Sequence, residues 1–233
     1  MAEAWRSPNH GPRLLPLDMI VLHYTGMQSA AAALERLCDP EAQVSAHFLI
    51  DEDGTCHHLV QPQRRAWHAG VSCWEDERDI NSRSIGIELV NPGHAWGYRD
   101  FPDAQMLALL QLLGQLTRRY GIAGTSIWGH SDVAPLRKED PGERFPWARL
   151  ARHGFGLWPR PSRLRLASRN AQVLLHMIGY DVLTAAGFAA SQTAFKRHFR
   201  PDTLGQRWTM ADTKMAQHLA ALKRPVLIRR RRA

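Results

Sequence analysis

The 233-residue sequence predicts a mixed α/β unit, with a central mixed β-sheet flanked by helices, followed by a small all-α unit of three helices. Three observations lead there. Short apolar runs alternate with helical segments up to about residue 158. Beyond that point the apolar pattern is helical only. The charge also changes sign at the same place: residues 1–158 hold 15 Lys/Arg against 19 Asp/Glu, and residues 159–233 hold 15 against 3. The net charge of +8 therefore belongs to the last third. With 44% hydrophobic and 22% charged residues, the chain has the composition of a globular protein.

The elements follow in order. Met19-Ile-Val-Leu-His-Tyr-Thr is a short apolar run closed by Thr25-Gly26, the pattern of a buried strand, and the helix formers from Ser29 follow it. Val44 to Ile50 and Thr55 to Val60, joined by Asp51-Glu-Asp-Gly54, read as a hairpin. Ser84 to Val90 alternates, which puts Ile85, Ile87 and Leu89 on one face and Glu88 on the other. Asp103 to Tyr120 carries leucines at helical spacing and stops at Gly121, and Thr125 to Gly129 is a last short strand. Pro159-Arg-Pro-Ser-Arg-Leu-Arg-Leu reads as a linker, because its prolines resist helix and its arginines stay solvated. The division expected is thus 1–158, a linker over 159–168, a helical unit over 169–225 and a basic tail over 226–233.

Several function classes are excluded. No run approaches the ~20 apolar residues of a membrane span, and the N-terminus lacks a basic segment followed by an apolar one, so a cytoplasmic setting is expected. Cys38, Cys56 and Cys73 lack CxxC spacing and read as free thiols. None stands at a helix start beside a histidine, where its pKa would fall, which disfavours a cysteine hydrolase.

Chemistry concentrates at strand ends. His23 closes the first strand, His130 follows the last, and Lys138, Glu139 and Asp140 come shortly after. Pro141 biases Asp140 toward extended backbone, where Lys138 and Asp140 project to one side. Two imidazoles and one carboxylate suit Zn²⁺ and leave a fourth position for water. Asp132 is an alternative oxygen donor, and with 12 histidines in the chain a purely structural pairing is the competing reading.

Five motifs then stand in register. They are Leu22-His-Tyr-Thr, Val44-Ser-Ala-His, Arg65-Ala-Trp-His-Ala-Gly-Val-Ser, Asn81 with Ser84-Ile-Gly-Ile-Glu-Leu, and Gly129-His-Ser-Asp-Val-Ala-Pro running on to Arg137-Lys-Glu-Asp-Pro-Gly and Phe145-Pro-Trp. In this order they resemble the zinc-dependent N-acetylmuramoyl-L-alanine amidases of the type 2 family, the AmpD and AmiD group, over about residues 15–158. The resemblance implies one zinc per chain and hydrolysis of the amide between muramic acid and L-alanine of a peptidoglycan stem peptide. Its zinc ligands fall on His23, His130 and Asp140, its essential acid on Glu88 and its basic residue on Lys138. Glu88 would move the proton from water to the leaving amine, and Lys138 would face the developing oxyanion.

Further expectations concern substrate contacts. His47 and His68 are candidates for pocket lining or for hydrogen-bonded structure, Trp67 for packing beside the substrate, and Arg78 for binding a stem-peptide carboxylate. The chain departs from the AmpD pattern at Gln43, where that subgroup tends to have arginine, and over Glu77 to Asn81, with one extra residue.

The last third holds three amphipathic segments, within Val173–Asp181, Thr193–Pro201 and Thr213–Leu222. Ile178-Gly-Tyr-Asp with Ala194-Phe-Lys-Arg-His-Phe-Arg-Pro resembles the peptidoglycan-binding domain of AmiD-like amidases, while Phe195, Phe199 and Leu219 are expected in its core. The expected partners are muropeptides or peptidoglycan fragments. A non-catalytic wall-recognition protein is the alternative, disfavoured by the full set of five site residues. A nucleic-acid role is disfavoured because no recognition signature accompanies the basic charge. The four arginines after Ile228 read as a solvated end. A chain ending near Leu157 is expected to fold and to act on soluble muropeptides.

Overall fold

The computed structural model describes residues 5–159 and 170–230. Most of the expected linker, residues 160–168, and the last residues of the basic tail lie outside the described residues. In chain order the strands are β1 (His10–Gly11), β2 (Met19–Tyr24), β3 (Phe48–Ile50), β4 (Cys56–His58), β5 (Arg65–Ala66), β6 (Ser84–Leu89) and β7 (Ile127–Gly129). The helices are α1 (Ala30–Cys38), α2 (Ile80–Arg83), α3 (Asp103–Tyr120), α4 (His130–Val133), α5 (Trp147–Arg152), α6 (Ala171–Ile178), α7 (Ala185–Phe199) and α8 (Met210–Arg230). The mixed sheet, its flanking helices and the helical C-terminal third agree with the fold expected from the sequence.

The main sheet has the order β4-β3-β6-β2-β7. β3, β6, β2 and β7 run parallel, and β4 closes one edge antiparallel as the second arm of the hairpin. β1 pairs with β5 in a separate two-stranded ribbon. Alternation within β2 and β6 explains how both faces are used. Ile20 and Leu22, with Ile85, Ile87 and Leu89, meet the buried Met106, Leu109, Leu113 and Leu116 of α3. That helix ends at Gly121, whose left-handed backbone (φ 66°) lets its N–H reach the Thr117 carbonyl. α1 starts at Ser29, whose side chain accepts from Ala32 N–H, and packs Ala33, Leu34 and Leu37 with Leu49 beside the sheet.

The opposite face of β2 is covered by the C-terminal helices. Met19, Val21, Trp74 and Trp128 share one continuous buried cluster with Leu174, Leu175, Ile178, Phe195, Phe199 and Leu219. Lys223 of α8 reinforces the junction: it donates to Glu75, and its ammonium lies 4.8 Å from the ring centres of both Trp74 and Trp128. Burial of the expected Phe195, Phe199 and Leu219 agrees with the sequence reading, but the core they fill is common to both parts of the chain. Among the described residues no helix is long and apolar enough to cross a membrane.

Candidate metal and catalytic site

The parallel register brings the chemistry to one edge. His23 on β2 lies directly opposite Glu88 on β6, and Leu22 lies opposite Gly129, the residue before His130. Three parallel strands thus deliver His23, Glu88 and His130 side by side at their carboxyl ends, where open α/β sheets bind ligands. A cavity of about 390 Å³ opens there, with His23, Trp67, His68, Glu88, His130, Lys138 and Asp140 in its lining.

Three donor atoms converge on its floor. His23 Nδ1 and His130 Nδ1 are 2.9 Å apart, and Asp140 Oδ2 is 3.0 Å from each. All three residues are buried. The surrounding hydrogen bonds fix which ring nitrogens carry protons. The Ser84 hydroxyl donates to Ile80 carbonyl, so its oxygen accepts from His68 Nε2, 3.1 Å away. His68 Nδ1 must then accept from His23 Nε2 at 3.0 Å, which leaves His23 Nδ1 as a lone pair. His130 Nε2 donates to Ala69 carbonyl at 3.0 Å, which leaves its Nδ1 as a lone pair too. Two imidazole lone pairs and a carboxylate oxygen facing one another repel unless a positive charge lies among them.

A proton is a poor candidate for that charge at His23. Burial, reinforced by neighbouring His130, lowers its pKa to about 4. Burial raises the pKa of the Asp140 carboxyl, and it is held below the usual carboxylate range only while positive charge at the His130 and His23 positions faces it. With both Nδ1 atoms as lone pairs, that charge has to come from a bound cation. The donor set therefore fits a divalent metal of the N/O-binding kind. Among the described residues His23, His130 and Asp140 are the one His/Cys/Asp/Glu group placed to hold such an ion. Asp132, the alternative oxygen donor, is turned away, with its carboxylate engaged by Tyr180, His198 and the Gly129 N–H.

Room for this relay comes from a glycine. A Cβ on Gly86 would lie 2.3 Å from His68 Cγ, so any larger residue on that strand would displace the ring that orients His23. Asn81 supports the same segment, its Oδ1 accepting from the N–H groups of His68 and Ala69.

Glu88 faces the donor cluster from the next strand. Its Oε2 is buried and has no hydrogen-bond partner among the described residues. Burial, and then the Asp140 charge, raise its pKa well above the ordinary carboxyl range, against the opposing pull of Lys138. Lys138 stands at the exposed rim of the cavity.

The remaining expectations divide. Trp67 and His68 line the cavity, and His68 is at once lining and hydrogen-bonded structure. His47 is fully buried behind it, where Nδ1 accepts from Gly86 N–H and Nε2 donates to Arg64 carbonyl, so it does not reach the cavity. His47 thus takes the structural alternative, while Arg78, expected at a stem-peptide carboxylate, lies outside the cavity lining with its guanidinium 3.5 Å from Asp181. In its place Arg36, Arg137 and Tyr24 line the site. Arg137 is adjacent to Lys138 in the motif, but Arg36 sits on α1 with nothing in its local sequence to mark it. Arg137 donates to the carbonyls of Ala69 and Val71, which ties the His130 support to the rim.

The likeness to known proteins agrees with this geometry. The family model described as N-acetylmuramoyl-L-alanine amidase matches residues 13–143. The chain is 36% identical over 211 residues to the N-acetylmuramoyl-L-alanine amidase AmiD of Escherichia coli, covering 79% of this chain and 75% of that protein. It is 41% identical over 108 residues to the 1,6-anhydro-N-acetylmuramyl-L-alanine amidase AmpD of Citrobacter freundii, covering 46% of this chain and 56% of that one. Its fold superposes on E. coli AmiD in complex with the substrate anhydro-N-acetylmuramic acid-L-Ala-D-γ-Glu-L-Lys, with TM-score 0.78, 32% identity and 88% and 89% of the two chains covered. AmpDh3 of Pseudomonas aeruginosa in complex with anhydromuramic pentapeptide superposes with TM-score 0.76, 30% identity and 90% and 92% covered. The chain belongs to the N-acetylmuramoyl-L-alanine amidase family.

Proposed function

We propose that the protein is a zinc-dependent N-acetylmuramoyl-L-alanine amidase that hydrolyses the amide between N-acetylmuramic acid, or its anhydro form, and the L-alanine of stem peptides. The observation that carries this reading is the convergence of the His23, His130 and Asp140 donor atoms beside Glu88, whose buried Oε2 has no hydrogen-bond partner among the described residues. The substrate complexes of AmiD and AmpDh3 support the choice of muropeptide, and with it a role in cell-wall recycling.

His23, His130 and Asp140 would hold one zinc ion. When bound, zinc lowers the pKa of a water and polarises an amide carbonyl. Glu88, with its raised affinity for a proton, takes the proton that water gives up and returns it to the departing alanine nitrogen, so that the lactyl carboxylate and a free amine result. Lys138 brings a positive charge to the rim where the carbonyl oxygen gains negative charge. Trp67 and His68 form the wall against which the muramoyl group rests, and Arg36 at the rim takes over the stem-peptide carboxylate role first expected of Arg78.

The test is mass spectrometry of products from soluble anhydromuropeptide. Release of anhydro-N-acetylmuramic acid and a peptide with a free L-alanine amine is expected. Intact substrate, or cleavage at another bond, overturns the assignment.

A further inference from the structure

The segment from His130 to Glu143 carries three of the five proposed site residues, yet part of what holds it comes from outside the amidase match. That match ends at residue 143, whereas Tyr180, Arg197 and His198 belong to the C-terminal helical third. Tyr180 hydroxyl donates to Asp132 Oδ1 at 2.6 Å, and His198 Nδ1 donates to Asp132 Oδ2 at 2.7 Å. All three residues are buried. The His198 ring is itself fixed, stacked between Trp147 and Phe199 with centroids 3.8 Å away on each side. Asp132 passes this fixation on, because its Oδ2 also accepts from Gly129 N–H, the residue before His130.

The next residue of α7 from His198 grips the far end of the same segment. Arg197, with a side chain only 12% exposed, lies 3.6 Å from Glu139 and 3.9 Å from Glu143. Glu139 stands between Lys138 and Asp140. The two ends are joined where Ser131 N–H donates to Asp140 carbonyl at 2.8 Å.

We propose that the C-terminal helices act as a positioning clamp, in which Tyr180, Arg197 and His198 set the placement of His130 and Asp140 relative to His23. None of the three touches the cavity, so they are positioning residues that act through Asp132 and Glu139. The inference rests on the metal-site reading above. It gives the basic third a part in building the site whether or not it binds peptidoglycan. Outer partners that orient metal ligands typically change metal affinity 10–100-fold when removed.

The test measures zinc affinity of the full chain by competition with a chromophoric chelator, alongside the melting temperature of each metal-free variant. Tyr180→Phe removes one hydroxyl without changing shape, and Arg197→Gln removes the mostly buried charge that faces Glu139 and Glu143. Val182→Ala is the control, since Val182 lies in the shared core but contacts neither Asp132 nor Glu139 by hydrogen bond or ion pair. Zinc affinity is expected to fall about tenfold or more in Tyr180→Phe and Arg197→Gln. It should stay unchanged in Val182→Ala despite a lower melting temperature, and Arg197→Lys should restore most of the loss. Wild-type affinity in both Tyr180→Phe and Arg197→Gln overturns the clamp, as does an equal loss in Val182→Ala. A wild-type chain that takes up no zinc overturns the metal-site reading, and the clamp with it.

Discussion

His23 and Glu88 occupy opposing positions in the parallel register of β2 and β6, so a buried donor nitrogen and a carboxyl with raised proton affinity stand on neighbouring strands at one sheet edge. The backbone ladder fixes their separation, which makes the pairing of the proposed metal site and proton carrier a property of strand register. A one-residue slip of either strand would send its side chain to the α3 face.

Glu88→Gln keeps the shape of the side chain and removes its ability to take a proton. Turnover should fall by roughly 10²–10⁴ while zinc content stays at the wild-type level. Metal analysis of the purified variant beside its kcat decides the point. Loss of zinc would make Glu88 a ligand.

Lys138 stands at the rim rather than on the floor, so its charge should matter most once negative charge develops on the substrate oxygen. Lys138→Ala should lower kcat with a smaller change in KM, seen in initial rates on soluble muropeptide. An increase in KM alone would assign Lys138 to substrate binding.

His47 gives a pH dependence of stability. Burial, and then the Arg13 charge, lower its pKa to about 3 from an ordinary 6.5, so the folded ring stays neutral where the unfolded one takes up a proton. Its contribution is full above pH 6.5 and falls as pH drops toward 3. His47→Gln can keep an acceptor toward Gly86 N–H and a donor toward Arg64 carbonyl without titrating. Between pH 7 and pH 5 the metal-free wild type should lose about 2 kcal/mol more than this variant in urea unfolding. Equal losses would show that His47 is protonated in the folded chain.

Much of this was legible in the sequence, for physical reasons that differ by element. β2 and β6 were readable because a strand with distinct faces must alternate, and the placement of Glu88 opposite Ile85, Ile87 and Leu89 follows from that period. α3 was readable from its leucine spacing and its terminal glycine. The two-residue pairing of β1 with β5 was not, since strands that short carry no period. The donor trio could be named because each member sits beside a strand end or a proline. The tautomer relay through His68 and Ser84 could not, because it depends on a hydrogen-bond chain across three segments. Arg78 was misplaced for the same kind of reason: its partner, Asp181, lies more than 100 residues away in the C-terminal third. Charge and proline content marked the change of composition near residue 158, but they carry no information about Met19, Val21 and Trp128 being covered by α6, α7 and α8.

That shared core sets the expectation for truncation. Removing residues after Trp158 would uncover Met19, Val21, Trp74 and Trp128, all nearly inaccessible in the full chain. This reverses the expectation from composition that a chain ending near Leu157 folds by itself: the shortened chain should aggregate, or melt well below the full-length protein in calorimetry, and lose activity even on soluble muropeptide, where no wall contact is needed. A shortened chain with full-length melting temperature and activity would show that the sheet does not depend on its helical cover.

The central claim is that His23, His130 and Asp140 form a zinc site on which hydrolysis depends. The most direct measurement is zinc content by elemental mass spectrometry together with the rate on anhydromuropeptide, before chelation, after it and after zinc is returned. The expected result is close to one zinc per chain, loss of activity with the metal, recovery on its return, and neither zinc nor recovery in His130→Ala. Full activity in the metal-free wild type, or stoichiometric zinc in His130→Ala, would contradict it.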